Sequence, residues 1–372
     1  MSVPSLSTFN TDAWVGRNLD EVATPALCLD MDRFEENVSR VVELCRNYGV
    51  QWRPHAKCHK SPRLAQLMMQ QGAMGVTCAT LEEAQLMVDG GISNVLIANM
   101  IASRPKLDQL AELAKRSQIL VCVDAAQHIT DLNQAMQAVG RTIGVLIELE
   151  IGFNRVGAAS IEAAIALAKL CAESEYVELQ GVMAYEGHLL TLADLDQKDR
   201  EIQTAIEHTV SVRRAIEIAG YPCPIVSCGG TGSLPITIAQ PGVTEIQAGG
   251  AVFMDEFYRR ACGIQDFENA LTVRATVVSR PTADRVVIDA GRKALDLAIH
   301  QPRPISPLGL QVEWFAAEHG ILSCDPRADS PRIGDPVILI PGYADLTNNL
   351  YSRFWGHRGE RIVDVFPIHH AR

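Results

Sequence analysis

The chain has 372 residues, of which 47% are hydrophobic and 21% charged, the balance of a globular protein large enough for two domains or one barrel with an appendage. Its net charge of −11 lacks the basic excess that phosphate contacts demand, which argues against a general nucleic-acid binder. No apolar run reaches the roughly 18 residues of a membrane-spanning helix, so no membrane role is expected.

Residues 1–25 read as a lead-in that packs on or near a later β domain. Its first part, Met1 to Asp12, is Ser/Thr-rich and lacks a basic start with an apolar core, so it does not resemble a secretory signal. Ten cysteines occur without CxxC pairs and read as reduced thiols, with Cys28, Cys122 and Cys171 as small core residues. A cytoplasmic protein is expected on these grounds.

A first strand is expected at Ala26–Asp30. The helix after it, about 32–47, carries Phe34, Val38, Val41, Val42 and Cys45 at helical spacing and stops at Gly49. A repeated rhythm of short β-rich runs and helices follows. The runs are 50–56, 75–78, 95–98, 119–123, 143–149, 179–184, 225–228 and 244–248. The helices lie near 61–72, 80–89, 104–116, 125–138, 160–174, 194–219 and 233–239. Eight strands alternating with helices suit a (β/α)8 barrel better than an open six-stranded sheet. The barrel is placed at 26–265. Beyond it, runs at 271–279, 285–289, 311–318, 336–340 and 362–367 between Gly/Pro-rich turns predict an all-β domain over 266–372, to which the strand at 26–30 is also a candidate member. The fold class is therefore α/β, a (β/α)8 barrel with a C-terminal all-β domain.

Side chains at the C-terminal ends of barrel strands are placed for catalysis. Lys57 follows the first barrel strand in Arg53-Pro54-His55-Ala56-Lys57-Cys58-His59-Lys60. Arg53, His59 and Lys60 are candidate cationic neighbours that would favour a neutral, nucleophilic amine able to hold a carbonyl cofactor as a Schiff base. Two glycine turns, Ser227–Ser233 and Gln247–Ala251, follow the seventh and eighth strands, the frequent phosphate site of such barrels. A Schiff-base lysine and a phosphate turn on one barrel mouth suggest pyridoxal 5′-phosphate (PLP). Arg155, after strand five, is a candidate for the cofactor ring or a substrate carboxylate. Tyr185 and His188, after strand six, are candidates to face the cofactor. Glu318, His319, Tyr343 and Asp345 are possible metal or acid/base groups. His357, His369 and His370 show no ligand spacing and read as surface. Cys58 reads as a packed thiol.

These residues resemble the D-threonine aldolase and eukaryotic-type D-serine dehydratase family, enzymes of the alanine racemase fold. The resemblance rests on Arg53–Lys57 with His59-Lys60-Ser61, on Thr24-Pro25-Ala26 with Asp30, and on Cys78-Ala79-Thr80 with Glu83-Ala84. Asn154–Gly157, Gly229–Ser233, Phe253-Met254-Asp255, Asp289-Ala290-Gly291 with Lys293, and Glu318-His319-Gly320 extend it. It implies a PLP enzyme, usually a homodimer, acting on a small amino-acid substrate. Lys57 then bears the cofactor, Gly230, Thr231, Gly249 and Gly250 hold its phosphate, and Arg155 approaches its ring. The family commonly binds a divalent metal through a Pro-x-His-x-(Asp/Cys)-x-Thr loop. Here Pro341-Gly342-Tyr343-Ala344-Asp345-Leu346-Thr347 aligns with it, with Asp345 present and Tyr343 in the histidine position. The options are a weak Mn²⁺ or Mg²⁺ site built on Asp345 and water, or no metal.

The leading expectation is retro-aldol cleavage of a D-β-hydroxy-α-amino acid, of the D-threonine or 3-hydroxyaspartate type, to glycine and an aldehyde. Lys57, His59, His188 and Tyr343 are the catalytic candidates. Dehydration of D-serine or 3-hydroxyaspartate, metal-free racemisation and a non-enzymatic PLP carrier are the alternatives.

Overall fold

The computed structural model describes residues 10–327 and 331–369. They form two compact units. Among these residues one comprises 38–251 with 260–265, and the other 10–37, 252–259, 266–327 and 331–368.

The larger unit is the (β/α)8 barrel. Its strands are β2 (Gln51–Trp52), β3 (Val76–Cys78), β4 (Asn94–Ile97), β5 (Gln118–Val123), β6 (Ile143–Glu148), β7 (Val177–Met183), β8 (Ile225–Cys228) and β9 (Glu245–Ile246). All pair in parallel in the order β2-β9-β8-β7-β6-β5-β4-β3. The ring closes between β2 and β3 through the single bridge His55–Thr77 and through the bonds Met74 N–H to Trp52 O and Thr77 N–H to Pro54 O. These strands were legible because a parallel strand, covered on both faces, is a nearly continuous apolar run. In β6 every residue but Gly144 is buried. The helices α2 (Pro62–Gln71), α3 (Leu81–Asp89), α4 (Arg104–Ala114), α5 (Ala126–Gln137), α6 (Ile161–Ala172), α7 (Leu195–Ile218) and α8 (Leu234–Thr237) alternate with the strands. Leu96, Leu120, Cys122, Leu146 and Met183 make a buried cluster across β4 to β7.

The first and last barrel strands are shorter than the runs 50–56 and 244–248 suggest. Pro54 has no N–H to give to a ladder, so the chain leaves regular pairing after Trp52. Arg53 and His55 still donate their N–H groups to Ile246 O and Gln247 O.

The second unit is a mixed β-sheet of nine strands. The strand β1 (Ala26–Asp30) belongs to it and not to the barrel span 26–265. It runs antiparallel to β10 (Leu271–Thr282) and parallel to β16 (Arg353–Arg358). The helix α1 (Met31–Tyr48) therefore begins in one unit and ends in the other. The sheet also contains β11 (Arg285–Ile288), β12 (Arg303–Ser306), β13 (Gln311–Phe315), β14 (Gly320–Ser323), β15 (Pro336–Ile340) and β17 (Arg361–Pro367). Three of these, β12, β14 and β16, have no counterpart among the predicted runs. Pro304 interrupts β12, and β16 carries arginine at both ends and Gly356 inside. The run predicted at 311–318 ends at Phe315, and the turn after it leads into β14. Leu19, Val22, Ala26, Cys28, Trp355, Ile362 and Val365 form a core of this unit. Nine of the ten cysteines are buried, Cys58 among them, and all ten are free thiols.

Candidate active site

On the barrel, Lys57 sits in a single 3-10 turn, Ala56–Cys58, directly after β2. It is partly exposed, between buried Ala56 and buried Cys58. The His55 side chain starts this turn by accepting the Lys57 N–H. Burial holds His55 well below the usual imidazole range, and the nearby charges of Lys57 and Arg155 act in the same direction. Lys57 and Arg155, on the loops after β2 and β6, thus both act electrostatically on one imidazole.

The cationic crowd expected around Lys57 is largely neutralised. Arg53 is 1% exposed and makes a two-pronged pair with Glu245, Nε to Oε1 at 3.1 Å and Nη2 to Oε2 at 3.0 Å. Its Nη1 also donates to Asn94 Oδ1 at 2.6 Å. Lys60 is buried with its Nζ 3.7 Å from Glu83 Oε1. His59 is buried and uncharged: burial pulls it down to about 3, and its Nδ1 accepts the Ser61 N–H at 3.0 Å. Both lysine and arginine flanks are therefore structural, and His59 supports the backbone of the turn.

One glycine turn stands against the lysine turn and the other against Tyr185. A Cβ on Gly249 would collide with the backbone carbonyl of His55, and one on Gly230 would lie 2.9 Å from Tyr185 Cε2. Glycine is required at both because backbone and ring come this close. Thr231 is 2% exposed, and its Oγ1 has no hydrogen-bond partner among the described residues. A buried hydroxyl left this way is costly unless a ligand completes it. The Gly230 N–H is already bonded to Ser233 Oγ at 3.2 Å, so Gly230 serves by its lack of a side chain. The cradle fits a phosphate-bearing cofactor whose anchor is Thr231 and whose floor is glycine.

Arg155 is aimed by its neighbours. Its Nη2 bonds Glu148 Oε1 at 3.0 Å, and its guanidinium lies 5.0 Å from the Phe153 ring centre and 5.8 Å from that of Tyr185. The turn that carries it is tied down by Glu150, whose carboxylate accepts the N–H groups of Gly152, Asn154 and Arg155. His188 stacks on Phe153 at 5.7 Å, and its Nδ1 is buried without a partner among the described residues. The barrel thus gathers Lys57, Arg155, Tyr185, His188, Gly230, Thr231, Gly249 and Gly250 on elements that leave strand C-termini.

The matrix that holds these groups was not read from the sequence. Glu186 is fully buried and accepts the hydroxyls of Ser233 at 2.6 Å and Thr237 at 2.5 Å. Lys198 donates to the carbonyls of Gly232 at 2.9 Å and Cys262 at 2.6 Å. Burial lowers its proton affinity. Glu148 was legible in principle, as a carboxylate at the end of a barrel strand. Lys198 was not, since it hides in the charged pattern of α7.

In the second unit, the loop Pro341–Thr347 is bolted to residues 255–258. Asp255 accepts the N–H groups of Tyr258 and Ala344, each at 2.8 Å, and burial pushes its carboxyl up to about 8. The Glu256 and Phe257 N–H groups donate to Pro341 O and Gly342 O. The rings of Phe257 and Tyr258 flank Tyr343 at 5.3 and 6.0 Å. Tyr343 Oη donates to Asp345 Oδ2 at 3.0 Å. The Glu318–His319 pair lies elsewhere, on an exposed turn where Glu318 meets Lys293 at 2.5 Å. His357 bonds the Gly359 carbonyl, His369 is exposed, and His370 lies outside the described residues.

Comparison with known proteins agrees with this architecture. Residues 29–256 match the family model of the alanine racemase N-terminal domain, and 270–356 match a serine dehydratase domain. A D-threonine aldolase from Arthrobacter sp. is 33% identical, over 95% of this chain and 94% of that protein. The chain belongs to the D-threonine aldolase and D-serine dehydratase family. A 3-hydroxy-D-aspartate aldolase from Paracoccus denitrificans (strain Pd 1222) is 30% identical over 97% of this chain and 95% of its own length. The crystal structure of D-threonine aldolase from Filomicrobium marinum superposes with a TM-score of 0.90 at 35% identity, covering 95% of this chain and 97% of that one. The protein is a lyase of this family with the alanine racemase fold. No described helix is long and apolar enough to cross a membrane.

Proposed function

We propose that the protein is a PLP-dependent lyase that cleaves a D-configured β-hydroxy-α-amino acid between Cα and Cβ, giving glycine and an aldehyde. The observation that carries the reading is likeness over nearly the full length to two aldolases, joined to a strand-end lysine beside a glycine turn.

In this reading Lys57 Nζ holds the cofactor aldehyde. Thr231 Oγ1 donates to the phosphate, while the bare backbone at Gly230, Gly249 and Gly250 lets it approach. Arg155, fixed by Glu148 and the Phe153 and Tyr185 rings, presents its guanidinium to the cofactor ring. When bound, PLP supplies the electron sink for the negative charge left at Cα.

Cleavage further needs a group that takes the proton of the β-hydroxyl and another that returns a proton to Cα. His188 suits the first role, because its ring is oriented by Phe153 while Nδ1 has no protein partner among the described residues. Lys57, once released by the substrate amine, suits the second. Tyr343, the remaining candidate, lies in the other unit, where its hydroxyl donates to Asp345 Oδ2. His59 keeps a supporting role, because it is buried and bonded to the Ser61 N–H. The protein works as a homodimer in this proposal, as the family resemblance implies.

The test is incubation of the purified, PLP-loaded protein with D-threonine, D-3-hydroxyaspartate, D-serine and D-alanine. Glycine and the matching aldehyde are expected from the first two. Ammonia and a keto acid without glycine would replace the aldolase reading by dehydration, and loss of optical activity alone would replace it by racemisation. Lys57→Ala is expected to lose both the visible absorbance of the bound cofactor and turnover.

A further inference from the structure

Two carboxylates and a tyrosine meet at Pro341–Thr347, in the place where the family resemblance implies a divalent cation. The donor set there does not fit one. Tyr343 offers a phenol, a weak ligand for Mn²⁺ or Mg²⁺ compared with imidazole. That phenol spends its proton on Asp345 Oδ2 at 3.0 Å, so an ion binding Asp345 through this oxygen has to break the pair first. The neighbouring carboxylates are committed elsewhere. Asp255 accepts two backbone N–H groups, one with each oxygen. Glu256 Oε1 is held by Arg303 Nε at 2.7 Å.

The loop also has little freedom to rearrange. Its backbone is bonded to residues 256 and 257 at Pro341 and Gly342, and Asp255 fixes Ala344. The Phe257 and Tyr258 rings flank the Tyr343 ring at 5.3 and 6.0 Å and hold it in place. Among the described residues, no three His, Cys, Asp or Glu side chains gather into a metal site.

We infer that the Pro341–Thr347 loop takes no divalent cation, and that the Tyr343–Asp345 hydrogen bond replaces the ion as the polar group presented there. The second clause rests on the lyase reading above; the first does not. The reaction then runs without added metal, and residue 343 is the position that separates this chain from metal-dependent members of its family.

The experiment uses the full-length, PLP-loaded protein. Wild type and Tyr343→His are exposed to Mn²⁺, desalted, and assayed for bound manganese by elemental analysis and by Mn²⁺ electron paramagnetic resonance. Wild type is expected to keep fewer than about 0.1 Mn²⁺ per chain, and Tyr343→His about one, since imidazole beside a carboxylate makes the better site. One equivalent in wild type that disappears in Asp345→Asn overturns the inference. A Tyr343→His protein that takes up no manganese overturns the donor argument just as fully.

Turnover of D-threonine by wild type is expected to stay within about twofold in excess EDTA; a loss of more than about tenfold, restored by Mn²⁺, refutes metal independence. If no substrate is cleaved in either condition, the lyase reading falls, while the manganese count still decides the first clause.

Discussion

Removal of Glu245 provides a direct measure of how the first barrel strand is held. Arg53 and Glu245 are 1% and 3% exposed and face each other with two hydrogen bonds, at 3.0 and 3.1 Å, joining β2 to β9. Glu245→Ala leaves a guanidinium in the barrel interior with only Asn94 Oδ1 as a side-chain partner in the pairings described above. Breaking a buried pair on one side costs about 3–5 kcal/mol, since the charge that remains cannot be rehydrated. At roughly 2–4 °C per kcal/mol for a unit of this size, the barrel transition should fall by on the order of 10 °C. Differential scanning calorimetry of wild type, Glu245→Ala, Arg53→Met and the double variant Arg53→Met/Glu245→Leu is the assay. The double variant should melt closer to wild type than either single one, because it removes the stranded charge and fills the space. Single variants that melt within about 3 °C of wild type would refute the assignment of Arg53 as a barrel pin, and would return it to the role of a cationic neighbour of Lys57.

Two further outcomes follow from the turn around Lys57. His59 titrates near 3 in the fold and near 6.5 when unfolded, so between these values the unfolded chain binds the extra proton. Stability therefore rises with pH through that window and is lost as pH falls below about 6.5, at up to about 1.4 kcal/mol per pH unit; thermal melts between about pH 4 and 6 should show a shallower slope in His59→Asn, which keeps an acceptor for the Ser61 N–H. Gly249→Ala forces a Cβ against the His55 carbonyl and must move the lysine turn or the glycine turn. PLP affinity measured by fluorescence titration of the apoprotein should weaken by about tenfold or more, equivalent to at least about 1.4 kcal/mol, within the range that overpacking usually costs.

The barrel was legible because its strands are short apolar runs separated by amphipathic helices, and that period survives any change of detail. The β unit was less so. Its membership depends on pairings such as Cys28 with Trp355, which join residues more than three hundred positions apart and leave no local trace. At the site, Lys57 and the two glycine turns could be read because strand ends and bare backbone have sequence signatures. The electrostatics could not. Arg53, His59 and Lys60 look like a positive cluster in a row of letters, yet Glu245 and Glu83 cancel two of them and burial discharges the third. Glu186 was missed for a similar reason, since its hydroxyl partners Ser233 and Thr237 come from beyond the next strand.

The weakest seam of the barrel lies next to the proposed cofactor lysine. Between β2 and β3 the ladder is reduced to one bridge at His55 and a few bonds around it, and Lys57 follows two residues later. A cofactor joined to Lys57 and seated on Gly249 touches the chain just beyond β2 and the turn just beyond β9. It binds only when these two ends are in register, so by linkage its binding free energy adds to the stability of the β2–β9 pairing. The proposed cofactor is then a staple across β2 and β9 as well as a reagent, and it steadies β2 on the side away from the lightly bonded β2–β3 seam.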